Sequence, residues 1–349
     1  MSFMNYSSNV ILAKARAMYG NCLKTQNYTE LLACHSVSEV ASYLKNRTAY
    51  ASVLSDINEA TIHRGYLETL LKRKIFNDFT SLMRYDMTVG MHMSDYLIQR
   101  AEMEQIIRCL QMMTAGRSEE FLFSLPLFFS THTKLDLIKM AHAKNYDQLL
   151  EALAGSPYKE LLEPMRPEKG KEIPITQIEN ALYSRVVKTL YGLIDHTSGS
   201  VRKELIHLCG SQVDTESMIR IFRMKKYFHA SADEIRPNLL PSGRCISPKM
   251  WERMLHAETA EEVLEIYYTT SIGRRIPENQ RLYYYDLHHR APYYNARHYI
   301  HYSINPMVVL ISYSIITDIE LDDIVNIIEG IRYALPTEQI KPMLVLANH

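Results

Sequence analysis

The chain has 349 residues, 47% hydrophobic and 22% charged, so it is globular and long enough for two or three ordinary domains. Its 39 basic residues balance 39 acidic ones, which excludes a chain built to lie along a phosphate backbone and leaves no case for a nucleic-acid partner. Five cysteines (Cys22, Cys34, Cys109, Cys209 and Cys245) are far apart, odd in number and without a Cys-x-x-Cys pair, which argues for a reducing compartment and against a disulfide framework or a zinc site.

Glycine is scarce at 12 residues, methionine and tyrosine are plentiful at 18 and 24, and few runs alternate apolar with polar residues as half-buried strands do. The class expected is all-α. Residues 1–9 are polar and lack the apolar core of a signal peptide. Residues 10–23 read as a helix with Val10, Leu12, Ala13, Ala17 and Met18 as its apolar positions. At Ser36-Val37-Ser38-Glu39 the serine can cap the helix amides while the glutamate reaches back, which opens a helix through Val40, Tyr43 and Leu44. The same device recurs at Asn145-Tyr146-Asp147-Gln148 and Thr259-Ala260-Glu261-Glu262.

A longer helical stretch follows each cap. The first runs from Ile57 through Leu70 and Leu71 to Phe79, and the second starts near Ile178 and continues through Val186, Val187 and Leu190. The third, residues 282–304, is rich in tyrosine and histidine, and Pro292 within it predicts a kink or break. Turn formers mark connectors at residues 113–119 and 228–247, and residues 164–174 form a charged loop. The most apolar stretch, residues 307–316, is half the length of roughly 20 residues that a spanning helix needs, so a buried helix is expected and any membrane contact is indirect.

One pattern organises the chain. Glu102-Met103-Glu104-Gln105-Ile106-Ile107-Arg108-Cys109-Leu110 returns as Asp214-Thr215-Glu216-Ser217-Met218-Ile219-Arg220-Ile221-Phe222 and again as Glu320-Leu321-Asp322-Asp323-Ile324-Val325-Asn326-Ile327-Ile328. In each copy an acid precedes apolar residues that share one helix face, with Ile106 and Leu110, Met218 and Phe222, and Ile324 and Ile328 in matching places. Acid and cap keep their order and near-equal spacing, so three related helical units are expected over residues 1–115, 116–230 and 231–349.

The residues that could carry chemistry have simpler explanations. His288, His289, His298 and His301 lack the i, i+4 spacing of a zinc helix and suit amphipathic packing. No glycine-rich phosphate cradle and no G-x-S-x-G elbow exists, so no cofactor is expected. The acid pairs Glu102 with Glu104, Asp214 with Glu216, and Asp322 with Asp323 are expected in the first turn of a helix, where the N-terminal end attracts negative charge. Arg220, Arg223, Lys225 and Lys226 close the second copy and could line a socket for an acidic partner.

Three all-helical units resemble the C subunit of V/A-type ATPases, related to the d subunit of the vacuolar ATPase. The resemblance is carried by Ala13-Lys14-Ala15-Arg16-Ala17-Met18, by Tyr28-Thr29-Glu30-Leu31-Leu32, and by residues 306–311 leading into Glu320, Ile324, Gly330-Ile331 and Leu335-Pro336. It implies a funnel with pseudo-threefold symmetry around a central opening. It also implies a non-catalytic central-stalk adaptor on the cytoplasmic face of a membrane, peripheral within an ion-translocating complex. Its partners would be the D and F proteins of the axle and the proteolipid rotor ring, for H+ or Na+ transport. Arg220, Arg223, Lys225 and Tyr283, Tyr284 and Tyr285 are the partner-binding residues expected. Two other readings compete: a cytosolic helical-repeat scaffold unrelated to rotary ATPases, and a metal-dependent hydrolase using the region from Tyr284 to His301.

Overall fold

The computed structural model describes residues 2–89, 93–123, 125–168, 171–241, 244–278, 281 and 287–348; among them there is no strand, and the chain is all-α. The principal helices are α1 (Ser2–Gly20), α2 (Thr25–Leu32), α3 (Val37–Arg47), α4 (Arg64–Val89), α5 (Met93–Thr114), α6 (Tyr146–Ala152), α7 (Ile175–Asp195), α8 (Ser211–Phe228), α9 (Ala260–Tyr268), α10 (Leu287–Tyr302) and α11 (Pro306–Arg332). Short helical turns fill much of the rest.

The three caps form as the sequence implies, with one shared refinement. Ser36, Asn145 and Thr259 each accept from the amide three residues on, at 3.1, 2.9 and 3.1 Å. The returning side chains of Glu39, Gln148 and Glu262 then accept from the amide before the cap, at His35, Lys144 and Glu258, at 2.7, 2.8 and 2.8 Å. Orphan amides on both sides of the cap residue are satisfied this way.

The repeated acid helices also end alike. Gly116, His229 and Ala334 follow α5, α8 and α11 with φ of 69°, 49° and 51°, the left-handed region in which a chain turns out of a helix. Each ending is closed by a bond from the next amide back to the last helical turn: Arg117 to the Met112 carbonyl, Ala230 to Met224 and Leu335 to Gly330, at 2.8, 3.2 and 2.9 Å.

Two expectations need correcting. The helix expected from Ile57 begins at Arg64 instead, because Asn58 caps a single 3-10 turn, Glu59–Thr61, and Ile62 is extended. Helix α10 continues through Pro292 without a break. Pro292 lies in its second turn, so the ring deletes one backbone hydrogen bond, and Ala291, Pro292 and Tyr293 are all buried there. As expected, residues 307–313 of α11 are buried.

The chain folds as two compact units, one of residues 1–91 with 194–349 and the other of residues 92–193. Two apolar cores of the described residues lie in the first. One joins Leu23, Tyr28, Leu31, Val40, Leu44, Leu67 and Leu71 to Ile324, Ile327, Ile328, Ile340 and Leu344, so the two ends of the chain share an interior. The other gathers Met218, Ile219, Phe222, Met254, Val263, Tyr267 and Leu287. In the second unit Ile106, Leu110, Leu149, Leu153, Leu162, Ile178 and Leu182 are fully buried.

Candidate functional site

Glu102, Asp214 and Glu320 are 8%, 0% and 1% exposed. They are not first-turn residues of isolated helices. Glu102 and Glu320 lie deep in helices that begin at Met93 and Pro306, while the backbone before Asp214 stays helical through a π turn, Ile206–Gly210, back to Gly199. The helix dipole therefore does not explain them. A buried carboxylate needs donors, and each of these takes them from a segment outside its own helix.

Glu320 accepts from the Leu23 amide at 2.6 Å and the Tyr50 hydroxyl at 2.9 Å. Glu102 accepts from the Thr133 hydroxyl at 2.6 Å and the Tyr158 hydroxyl at 2.8 Å. Asp214 accepts from the amides of Cys245 and Ile246 at 2.9 and 2.8 Å. The first two copies of the acid thus bind the segment that follows them, and the third binds the first segment of the chain.

Tyr50 and Tyr158 are placed by the same local device. Thr48 and Ser156 donate to the carbonyls of Leu44 and Leu153 at 2.6 and 2.7 Å and accept from the amides of Tyr50 and Tyr158. In the remaining segment Thr270 donates to the Tyr267 carbonyl at 2.6 Å, but the residue two positions on is Ile272, which has no hydroxyl. There the acid is the shorter aspartate, it accepts from the backbone amides of Cys245 and Ile246, and the Tyr267 hydroxyl meets Thr215 at 2.8 Å. Acid length and donor type change together within one chain.

Around Glu320 the charges are arranged in layers. Lys74, 6% exposed, holds Asp78 at 2.7 Å and lies 5.1 Å from the centre of the Tyr50 ring, and Asp78 accepts from the Tyr313 hydroxyl at 2.7 Å. Burial raises the Glu320 carboxyl above the usual range, against the opposing pull of the Leu23 amide and Tyr50. One turn on, Asp323 accepts from the Val345 and Leu346 amides at 2.8 and 2.7 Å, and its carboxyl is pushed up to about 7, chiefly by burial. Buried Arg290 donates to the Pro342 and Leu344 carbonyls, so the C-terminal segment is held through both its amides and its carbonyls. The donors on these carboxylates come from segments distant in sequence, and their role is to join those segments.

The expected partner-binding residues have distinct fates. Arg220 bonds Glu216 at 3.4 Å and the Asn238 carbonyl at 3.1 Å. Arg223 is exposed, and Lys225 is half-buried with its ammonium lowered by burial. Lys226 pairs with Glu261 at 3.5 Å, and Tyr227 and Phe228 beside it are 58% and 76% exposed. Tyr283, Tyr284 and Tyr285 lie outside the described residues. Among the histidines, His288 stacks on His289, which faces Asp322 at 3.4 Å, while His298 packs on Tyr302. No group of three or more His, Cys, Asp or Glu among the described residues is placed to hold a metal, and no helix among them is long and apolar enough to cross a membrane.

Sequence reasoning missed Tyr50, Tyr158 and Arg16. A Ser/Thr-x-Tyr step shortly after a capped helix was the signal available for the tyrosines. Arg16 stands in the opening segment that carries the resemblance, but its partners, the carbonyls of Ile300 and Ser303, leave no mark in the sequence.

The described residues form an all-α protein whose buried acids join segments distant in sequence. Residues 11–343 match the profile of the ATP synthase (C/AC39) subunit family, and the chain belongs to that family. It is 22% identical to the C subunit of the A-type ATP synthase of Methanosarcina barkeri over 74% of this chain and 69% of the relative. It is 23% identical to the same protein of a Desulfurococcus species over 76% and 68%. With that of Methanosarcina acetivorans it shares 20% over 98% and 93%. Membership of that family overturns the reading as a helical scaffold unrelated to rotary ATPases.

Proposed function

We propose that the chain is the non-catalytic central-stalk adaptor of a rotary V/A-type ATPase. In this reading it couples the D/F axle of the ATP-hydrolysing head to the membrane proteolipid ring that carries H+ or Na+, and it works at the cytoplasmic face of the membrane. The single observation that carries the reading is the family match across residues 11–343. The threefold acid motif supports it, since Glu102, Asp214 and Glu320 each occupy the same kind of buried junction. Three units, residues 1–115, 116–230 and 231–349, would then surround a pseudo-threefold axis as a funnel whose opening takes the foot of the axle.

A torque coupler has to transmit force without giving way. Charge-assisted hydrogen bonds between segments distant in sequence suit that task better than apolar contact alone, because they fix register. Arg223 is the clearest candidate for the axle, being exposed and cationic, whereas Arg220 is engaged internally. The experiment is capture of purified D/F complex, and separately of detergent-solubilised ring, on the immobilised chain. Both are expected to bind, and Arg223→Glu is expected to weaken D/F capture alone. Binding of neither would refute the assignment.

A further inference from the structure

The turn between α10 and α11 presents its apolar residues outward. Tyr302 is 74% exposed and Ile304 is 80% exposed, while Ser303 between them is buried. The turn is nonetheless firmly held. Arg16 donates to the carbonyls of Ile300 and Ser303 at 2.8 and 2.6 Å, and Glu204 accepts from the Ser303 hydroxyl and the Asn305 side-chain amide at 2.5 and 2.8 Å. Two half-buried charges thus fix a loop whose tip is apolar, and nothing in the interior uses that tip.

The sequence around the tip is poor in acids and carries exposed cations. No aspartate or glutamate occurs from residue 287 to residue 317, in a chain with 39 acids in 349 residues. Arg297, His298 and His301 are exposed on the last turns of α10, and exposed Lys203 adjoins Glu204 in sequence. Glu204, the acid that does reach the turn, is engaged with Ser303 and Asn305.

The size of the feature helps to identify its partner. Two side chains supply on the order of 300 Å², well short of the roughly 800 Å² per partner of a stable protein interface. An anionic bilayer needs less: an aromatic and an aliphatic side chain at headgroup depth, with cations around them, are enough for a reversible contact. We propose that the 302–305 turn is a membrane contact that meets anionic lipid headgroups. This adds a direct lipid contact to a chain for which the sequence suggested only an indirect one, and it rests on the reading of the chain as part of a membrane-bound complex.

The test is co-sedimentation of the full chain with vesicles of phosphatidylcholine alone and of phosphatidylcholine mixed equally with phosphatidylglycerol. Binding is expected only to the mixed vesicles and is expected to weaken with added salt. Tyr302→Ser with Ile304→Ser should reduce it about tenfold, and Arg297→Glu should reduce it by a similar factor. All three positions are exposed, and an unchanged melting temperature in each variant would establish that folding is intact. Equal binding to both vesicle types, or wild-type binding by the variants, would overturn the proposal. So would variants that bind vesicles normally but lose capture of the detergent-solubilised ring, since the turn would then be a protein contact. Capture of the D/F axle is read separately, so failure of the adaptor reading and failure of the lipid contact give different results.

Discussion

The Tyr50 hydroxyl donates to Glu320 at 2.9 Å, joining residues 270 positions apart in the sequence. Glu320 has one other donor outside its helix among the hydrogen bonds described above, the Leu23 amide. Tyr50→Phe therefore removes a bond to a fully buried carboxyl, at a cost of about 2 kcal/mol in unfolding free energy. Tyr50→Phe and Glu320→Gln together should be less harmful than the sum of the two, with a coupling of about 1 kcal/mol or more in a denaturant double-mutant cycle. Additive losses would show that the pair is not coupled.

Two groups, one buried and one half-buried, give opposite pH signatures. The Asp323 carboxyl is raised to about 7 when folded, so between about pH 4 and about pH 7 the folded chain holds a proton that the unfolded chain has released. Stability from this group therefore falls as pH rises through that window. His207, which contacts Tyr299 at 2.9 Å, is lowered to about 4, chiefly by burial, so its contribution is lost as pH falls from about 6.5 toward about 4. Urea titrations at several pH values should show a flatter decline toward neutral pH in Asp323→Asn and a flatter loss toward acid in His207→Gln. Hydrogen exchange at the Val345 and Leu346 amides should quicken in Asp323→Asn.

The left-handed residues that end the acid helices offer a gain. Gly116 occupies this conformation at no steric cost, whereas Ala334 and His229 carry a Cβ there at φ of 51° and 49°. Ala334→Gly and His229→Gly should each raise stability by up to about 1 kcal/mol in a thermal or denaturant melt, while Gly116→Ala should lower it by a similar amount.

The three caps can be compared for equal local weight. Ser36, Asn145 and Thr259 each accept one amide at close to 3 Å. Alanine at any one should cost about 1 kcal/mol. In the triple variant the losses should add, because the caps share no partner.

Much of this was legible from the sequence. The caps at Ser36, Asn145 and Thr259 were readable because capping is set within four residues, and the apolar faces at Ile106, Met218 and Ile324 because they follow helical periodicity. The role of the acids was not. An acid before an apolar run looks the same whether it faces a helix dipole or a buried tyrosine, and the donors to Glu320, Leu23 and Tyr50, come from the far end of the chain. That α10 runs unbroken through Pro292 was hidden for a related reason, since local sequence cannot show that packing around it outweighs one missing bond. The expected partner-binding tyrosines Tyr283, Tyr284 and Tyr285 lie outside the described residues, and Arg220 is engaged by the Asn238 carbonyl, a partner that sequence spacing does not indicate.

The shared interior of the two chain ends has a consequence for biosynthesis. Leu31, Val40 and Leu44 emerge from the ribosome long before Ile324, Ile327 and Leu344, which cover them. Until residue 320 and the helix around it are made, residues 23–71 carry bare apolar surface and a Tyr50 hydroxyl without its carboxylate, a state that invites chaperone capture. A nascent chain stalled before residue 320 should therefore stay protease-sensitive in its first seventy residues, while the stretch from Glu102 to Leu190 is already resistant.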